Sequence, residues 1–126
     1  MTDTTTALTA LHDALTAGRH GDDLRELFTP DATTTEHPNA LNPRGRTSTL
    51  AEMLAASEAG AGLLAWQRYD VHTLIAHGTT VVARLTWTGE VARDAGPFHE
   101  GQRLTAHIAQ FAEVEGGRIR SIETFD

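Results

Sequence analysis

Apolar residues recur every three or four positions in the first half of the chain and every second position in the rest. Leu8, Leu11 and Leu15, with Ala7 and Ala14 beside them, form one stripe of helical period and predict an N-terminal helix. Gly18 is placed to end that helix in a left-handed residue. Leu24, Leu27 and Phe28 predict a shorter second helix, with Asp22 as its cap and Pro30 as its stop. A run of threonines then predicts a short strand that ends at the Glu36-His37-Pro38 corner, and residues 39–45 read as loop. Thr49-Leu50-Ala51-Glu52 has the form of a capping box and opens a third helix carrying Leu50, Met53 and Leu54, which Gly60 and Gly62 end.

From residue 67 the period changes to that of strands. Residues 67–76 are β-prone and close at His77-Gly78. Residues 79–91 alternate, with Val81, Ala83, Leu85 and Trp87 on one face and Val82, Arg84, Thr86 and Thr88 on the other. Residues 92–100, with Asp94, Gly96 and Pro97, read as a long hairpin loop. Residues 102–114 alternate Thr105, His107, Ala109 and Phe111 against Leu104, Ala106, Ile108 and Gln110. Glu115-Gly116-Gly117-Arg118 predicts a tight turn in which glycines supply positive φ, and residues 119–126 form the last strand. Helices followed by long antiparallel strands make an α+β plan, with the helices packed on one face of a curved sheet.

Composition narrows the partners. A chain of 126 residues is expected to form one domain, residues 1–126, around one core. Its net charge is −7 and its basic side chains are scattered arginines, with no lysine. That excludes the basic stripe a duplex-binding surface needs, so no nucleic-acid partner is expected. The absence of cysteine excludes disulfides, thiolate catalysis and cysteine-zinc sites. No apolar run reaches the ~18 residues of a membrane helix, and MTDTTTALTAL lacks a basic-then-apolar signal. The expectation is a soluble cytoplasmic protein with no membrane partner.

Two segments resemble a known family. LFTPDATTTEHP is similar to the first strand of the nuclear-transport-factor-2-like superfamily, with its apolar pair, Asp-Ala, short strand and acidic residue before proline. AEVEGGRIRSIETFD is similar to the closing hairpin of that superfamily. The element order also matches, so the chain is identified as a SnoaL-like or ketosteroid-isomerase-like member. The resemblance implies a cone-shaped α+β barrel in which a mostly antiparallel sheet holds the N-terminal helices in its concave face. It implies a mostly apolar pocket at the open end.

Carried over residue by residue, the resemblance puts His37 where ketosteroid isomerases keep their catalytic base. Leu11 falls where they keep an oxyanion-binding tyrosine, and Ala109 where they keep a protonated aspartic acid. Thr124 falls where the cyclases place a catalytic aspartate. Both oxyanion donors are thus replaced, and loss of even one costs ~2.7–4 kcal/mol of transition-state stabilisation. The strand faces and the resemblance together predict a pocket holding His107, Ala109 and Phe111, with Trp87, Leu85 and Ala83 beside them and Thr124, Asp126 and Leu11 nearby. His37 is expected at the rim.

His37 and His107 then make a candidate acid/base pair, one imidazole neutral and one protonated, with Asp126 as the associated carboxylate. Scytalone dehydratase in the same superfamily also relies on a histidine pair. Arg44 and Arg46 flank Gly45 before the third helix, where Arg44 is a candidate anion contact. His12, His20, His72, His77 and His99 read as surface or turn residues. Glu36 and His37 are adjacent and point to opposite strand faces, and no histidine pair has ligand spacing. No metal and no cofactor are expected.

Three functions stay open on the sequence. One is a cofactor-independent isomerase, dehydratase or cyclase acting on a small hydrophobic carbonyl or polyketide-like compound. Another is a non-catalytic ligand-binding or dimerisation module of the same fold. In the third the outer sheet face is the functional surface, with Val82, Thr86, Leu104, Ile108 and Gln110 as a flat contact. A homodimer through the sheet is expected.

Overall fold

The computed structural model describes residues 4–39 and 42–126. Along the chain run α1 (Thr4–Thr16), a 3-10 helix (Gly21–Leu27), β1 (Phe28–Glu36), β2 (Arg46–Thr49), α2 (Leu50–Ala59), β3 (Leu64–His77), β4 (Thr80–Val91), β5 (Arg103–Glu115) and β6 (Arg118–Phe125). Residues 40 and 41 of the expected 39–45 loop lie outside the described residues. The strands form one six-stranded sheet in the order β2-β1-β6-β5-β4-β3. Every neighbouring pair is antiparallel except β1 with β6. That parallel pair lays the first strand of the chain beside the last. The curved sheet stays open, with β2 and β3 as its edges.

The N-terminal helices pack in the concave face. Leu8 from α1 and Leu24 from the 3-10 helix are fully buried against Val81, Leu85 and Ile119 of the sheet. Gly18, at φ 85°, ends α1 as expected. The Arg19 amide donates to the Ala14 carbonyl at 3.0 Å and the Gly18 amide to that of Leu15 at 3.0 Å, the paired closure of a Schellman motif. The capping box on α2 forms as well: Thr49 Oγ1 accepts from the Glu52 amide at 3.2 Å, and Glu52 Oε1 accepts from the Thr49 amide at 2.9 Å. These bonds from Thr49 hold the Glu52 carboxyl below the usual carboxylate range.

The second helix differs from its expectation. It is a 3-10 helix that begins at Gly21, and His20 rather than Asp22 stands at its cap, with its ring bonded to Glu58 Oε2 at 2.7 Å instead of to the helix. The Asp22 carboxylate instead accepts from Arg25 Nε at 2.6 Å. Gly21 is at φ 57°, its amide donates to Ser57 Oγ at 3.1 Å, and a Cβ there would run into the Glu58 carboxylate. The chain is thereby drawn against α2, where only glycine fits. Pro30 does not stop a helix but sits inside β1, in the irregular stretch between Phe28 and Thr33 where no ladder bond is asked of it. The four-residue β2 was not foreseen, because Ser48 is its only buried side chain and four residues carry almost no period.

One correction bears directly on function. Ala83, Leu85 and Trp87 of β4 lie opposite Gln110, Ile108 and Ala106 of β5, so these six side chains share the concave face. His107, Ala109 and Phe111 therefore project from the outer face, opposite Thr86, Arg84 and Val82. The side-chain period of a strand is two, so a one-residue shift of the expected face turns every residue over. By the same parity Leu104, Ile108 and Gln110 turn inward and leave the expected outer contact set.

Candidate active site

An open cavity of about 450 Å³ lies between the helices and the concave face. Leu11 and Leu15 of α1, Leu24 and Phe28 beyond it, and Met53 of α2 give it an apolar lining, with Ile108 and Ile122 from the sheet. Register sets its polar positions. On β1, Thr34 and Glu36 lie opposite Ser48 and Arg46 of β2, and beside Ile122 and Thr124 of β6. All six line the cavity. Glu36 thus sets a carboxylate at the rim, where its Oε1 accepts from Asn39 Nδ2 at 2.7 Å.

Two hydrogen-bonded chains run through the wall. In the first, Trp87 Nε1–H donates to Gln67 Oε1 at 2.9 Å, and Gln67 Nε2 donates to the Leu15 carbonyl at 3.2 Å. The Tyr69 hydroxyl donates to the same Gln67 oxygen at a longer 3.4 Å. Burial pushes the Tyr69 phenol up to about 12, so it stays protonated throughout the physiological range. In the second chain His12 Nε2 bonds Gln110 Oε1 at 2.7 Å, and Gln110 Nε2 donates to Thr124 Oγ1 at 3.4 Å. His12 is buried and its ring stacks on Tyr69, with centroids 4.7 Å apart. Desolvation lowers its pKa below 6.5, against smaller opposing effects from Gln110 and Asp13, so the ring is neutral at neutral pH.

Residues 8–122 match the model of the SnoaL-like domain. The chain belongs to the SnoaL-like domain family. No curated protein matches it in sequence. Solved structures with the same fold include IdmH from Streptomyces antibioticus, provisionally a polyketide cyclase, at 21% identity over 98% of this chain and 91% of that one, with a TM-score of 0.77. AclR from Streptomyces galilaeus, provisionally a hydroxylase, matches at 15% identity over 97% of this chain and 77% of that one, also with a TM-score of 0.77. A hypothetical protein from Catenulispora acidiphila with a ketosteroid isomerase-like fold, in complex with trimethylamine, matches at 20% identity over 95% and 84% of the two chains, with a TM-score of 0.73. At these identities the likeness is one of fold.

The cavity of this SnoaL-like protein gathers some of the residues expected from its sequence and leaves others out. Leu11, Trp87 and Thr124 line it. Leu85 and Ala83 are on the same sheet face but buried in the core beneath it. His37 does not line it. Its ring lies on the outer face, where it stacks on Phe125 with centroids 3.9 Å apart and bonds Glu123 Oε2 through Nε2 at 2.8 Å. His107 is exposed on that outer face with its Nδ1 3.5 Å from Thr86 Oγ1, and Ala109 and Phe111 share the face. Asp126 and Arg44 are exposed and outside the lining, and no residue of the 92–100 loop lines the cavity.

Glu36, Gln67, Tyr69 and Gln110 are polar lining residues outside the pocket expected from the sequence, which set Gln110 on the outer face. Signals for two of them, and for His12, were present. Glu36 keeps the parity of buried Ala32, and Gln110 keeps the parity of Ala106, Ile108, Ala112 and Val114. His12, which holds Gln110, sits four residues after Leu8 on the buried stripe of α1. Among the described residues no three His, Asp or Glu side chains are grouped to hold a metal ion. Among the same described residues no helix is long and apolar enough to cross a membrane.

Proposed function

We propose that this SnoaL-like protein binds a small, ring-bearing, largely apolar carbonyl compound and moves a proton on it, as a cofactor-independent isomerase, dehydratase or cyclase. The observation that carries this reading is an apolar cavity with a carboxylate, Glu36, at its rim and a neutral phenol, Tyr69, in its wall. Glu36 takes the proton from carbon next to the substrate carbonyl, the electron pair of the broken C–H bond becomes the carbon–carbon double bond of the enolate, and the carbonyl π pair moves onto oxygen. The Tyr69 hydroxyl donates to that oxygen as charge gathers there. It is free to do so because its bond to Gln67 is long and Trp87 already holds the same acceptor. The enolate then takes the proton back at another carbon, expels hydroxide, or attacks a second carbonyl, giving isomerisation, dehydration or cyclisation. Glu36 and Tyr69 replace the His37–His107 pair as the proton-handling groups in this proposal.

The experiment is deuterium exchange. In D2O the protein is expected to speed incorporation at the α-carbon of 1-tetralone, followed by NMR, and Glu36→Gln is expected to abolish the acceleration. Binding of 1-tetralone with no acceleration by the unmodified protein contradicts catalysis. It favours a second reading, a non-catalytic ligand-binding module, which is supported by the way the Trp87 indole and the Gln67 amide in the wall already bond one another. Pairing of two copies through the outer sheet face accompanies either reading. It is supported by Phe111 and Phe125, 42% and 40% exposed side by side there, and sedimentation equilibrium tests it.

A further inference from the structure

The amide of Gln110 is a buried side chain in the wall of a mostly apolar cavity, and which end of it faces a ligand decides what the cavity accepts. In the structure its oxygen faces His12, 2.7 Å from Nε2. The His12 ring is neutral and therefore carries one N–H. Gln110 Oε1 can only accept, so at 2.7 Å the proton sits on His12 Nε2. The stacked Tyr69 ring and the buried flank of α1 hold the imidazole in place. With its oxygen occupied, Gln110 turns its NH2 the other way. One N–H reaches Thr124 Oγ1 at a long 3.4 Å, and the structure shows no protein partner for the second among the described residues.

We propose that Gln110, pinned by His12, is a specificity-determining donor that reads a second acceptor oxygen on the ligand, apart from the oxygen held by Tyr69. The substrate class is then a ring compound carrying two oxygen functions on an apolar frame, such as a diketone or a quinone-like ring system. A ligand that offers only a donor at that end leaves both partners unsatisfied and is rejected. His12 is a positioning residue and touches no ligand. The inference rests on the proposed cavity reading but not on the proton transfer at Glu36.

Calorimetric titration with 1,4-naphthoquinone and 1-tetralone tests it, the quinone carrying a second oxygen across the ring along with an unsaturated C2–C3 bond, a difference that the Gln110→Leu comparison removes. The unmodified protein is expected to bind the quinone about tenfold more tightly, the worth of one further buried hydrogen bond. Gln110→Leu should bring the two affinities together, and Gln110→Glu, which keeps the shape but presents an acceptor, should favour 1-tetralone. His12→Phe keeps the stack on Tyr69 but frees the amide to turn, and should shrink the preference several-fold. A wild-type preference for the quinone that survives Gln110→Leu overturns the proposal and leaves the cavity reading standing, as does equal binding of the two by the unmodified protein. If the protein binds neither ligand, the cavity reading itself fails. Nitrogen-15 spectra of the unmodified protein give an independent check, since a His12 ring protonated on Nδ1 alone would also overturn the proposal.

Discussion

The two faces of the sheet meet at the end of β1, one residue apart, and carry different chemistry. Inward, Glu36 joins Arg46 and Thr124 at the mouth of an apolar cavity, with Gln110 deeper along β5. Outward, His37 lies flat on Phe125 and bonds Glu123, and Phe111 meets Phe125 edge-on at 5.7 Å. The outer group looks more like an active site from sequence, because it holds the histidine. The inner group has the enclosed space. A ring stacked on a neighbour and bonded to a carboxylate fastens β1 to β6, whereas a carboxylate above a cavity has room for a substrate.

Substitutions on the two sides should therefore separate sharply. The largest effect is expected for Glu36→Gln, which should reduce α-proton exchange by about 10²–10⁴-fold with little change in fold stability. Tyr69→Phe should follow, with a loss of about 10²–10³-fold in exchange, as for an oxyanion donor. Outside, His37→Ala should leave exchange within about twofold and cost about 1 kcal/mol in urea unfolding through the lost stack. His107→Ala, on an exposed strand position, should change stability by no more than about 0.5 kcal/mol and leave exchange unaltered. Comparable losses from His37→Ala and Glu36→Gln would erase the distinction between the faces.

Acid provides a further way to disturb the inner face. Burial lowers the His12 pKa below 6.5, so the unfolded chain binds this proton more readily than the folded one. The stability tied to His12 is whole above pH 6.5 and is lost as pH falls from there through the lower folded value. Urea unfolding curves for the unmodified protein and His12→Phe should accordingly converge as pH drops below this range.

Much of the fold was legible because its signals are repeated many times. The α1 stripe, the capping box at Thr49 and the glycine turn at residues 116–117 each depend on several residues that agree. The site was less legible because it depends on strand parity, which one shifted match reverses. Equating Ala109 with an inward aspartic acid carried His107 and Phe111 inward too, against the plain alternation of Leu104, Ala106, Ile108, Ala112 and Val114 on the other face. On β1 the threonine run offers little apolar contrast, so Ala32, four residues back, was the one local mark that set Glu36 apart from His37. The partners Gln67 and His12 come together only through contacts across the fold, to Trp87 and Gln110, which no spacing along the chain displays.

Titration of the nitrogen-15-labelled protein with 1-tetralone, followed by proton–nitrogen correlation spectra, tests most directly that the inner face holds the ligand. The expected result is movement of the Trp87 indole N–H and the Gln67 and Gln110 side-chain amides, while the ring signals of His37 and His107 stay in place. Movement of His37 and His107 with a stationary Trp87 indole would contradict the account.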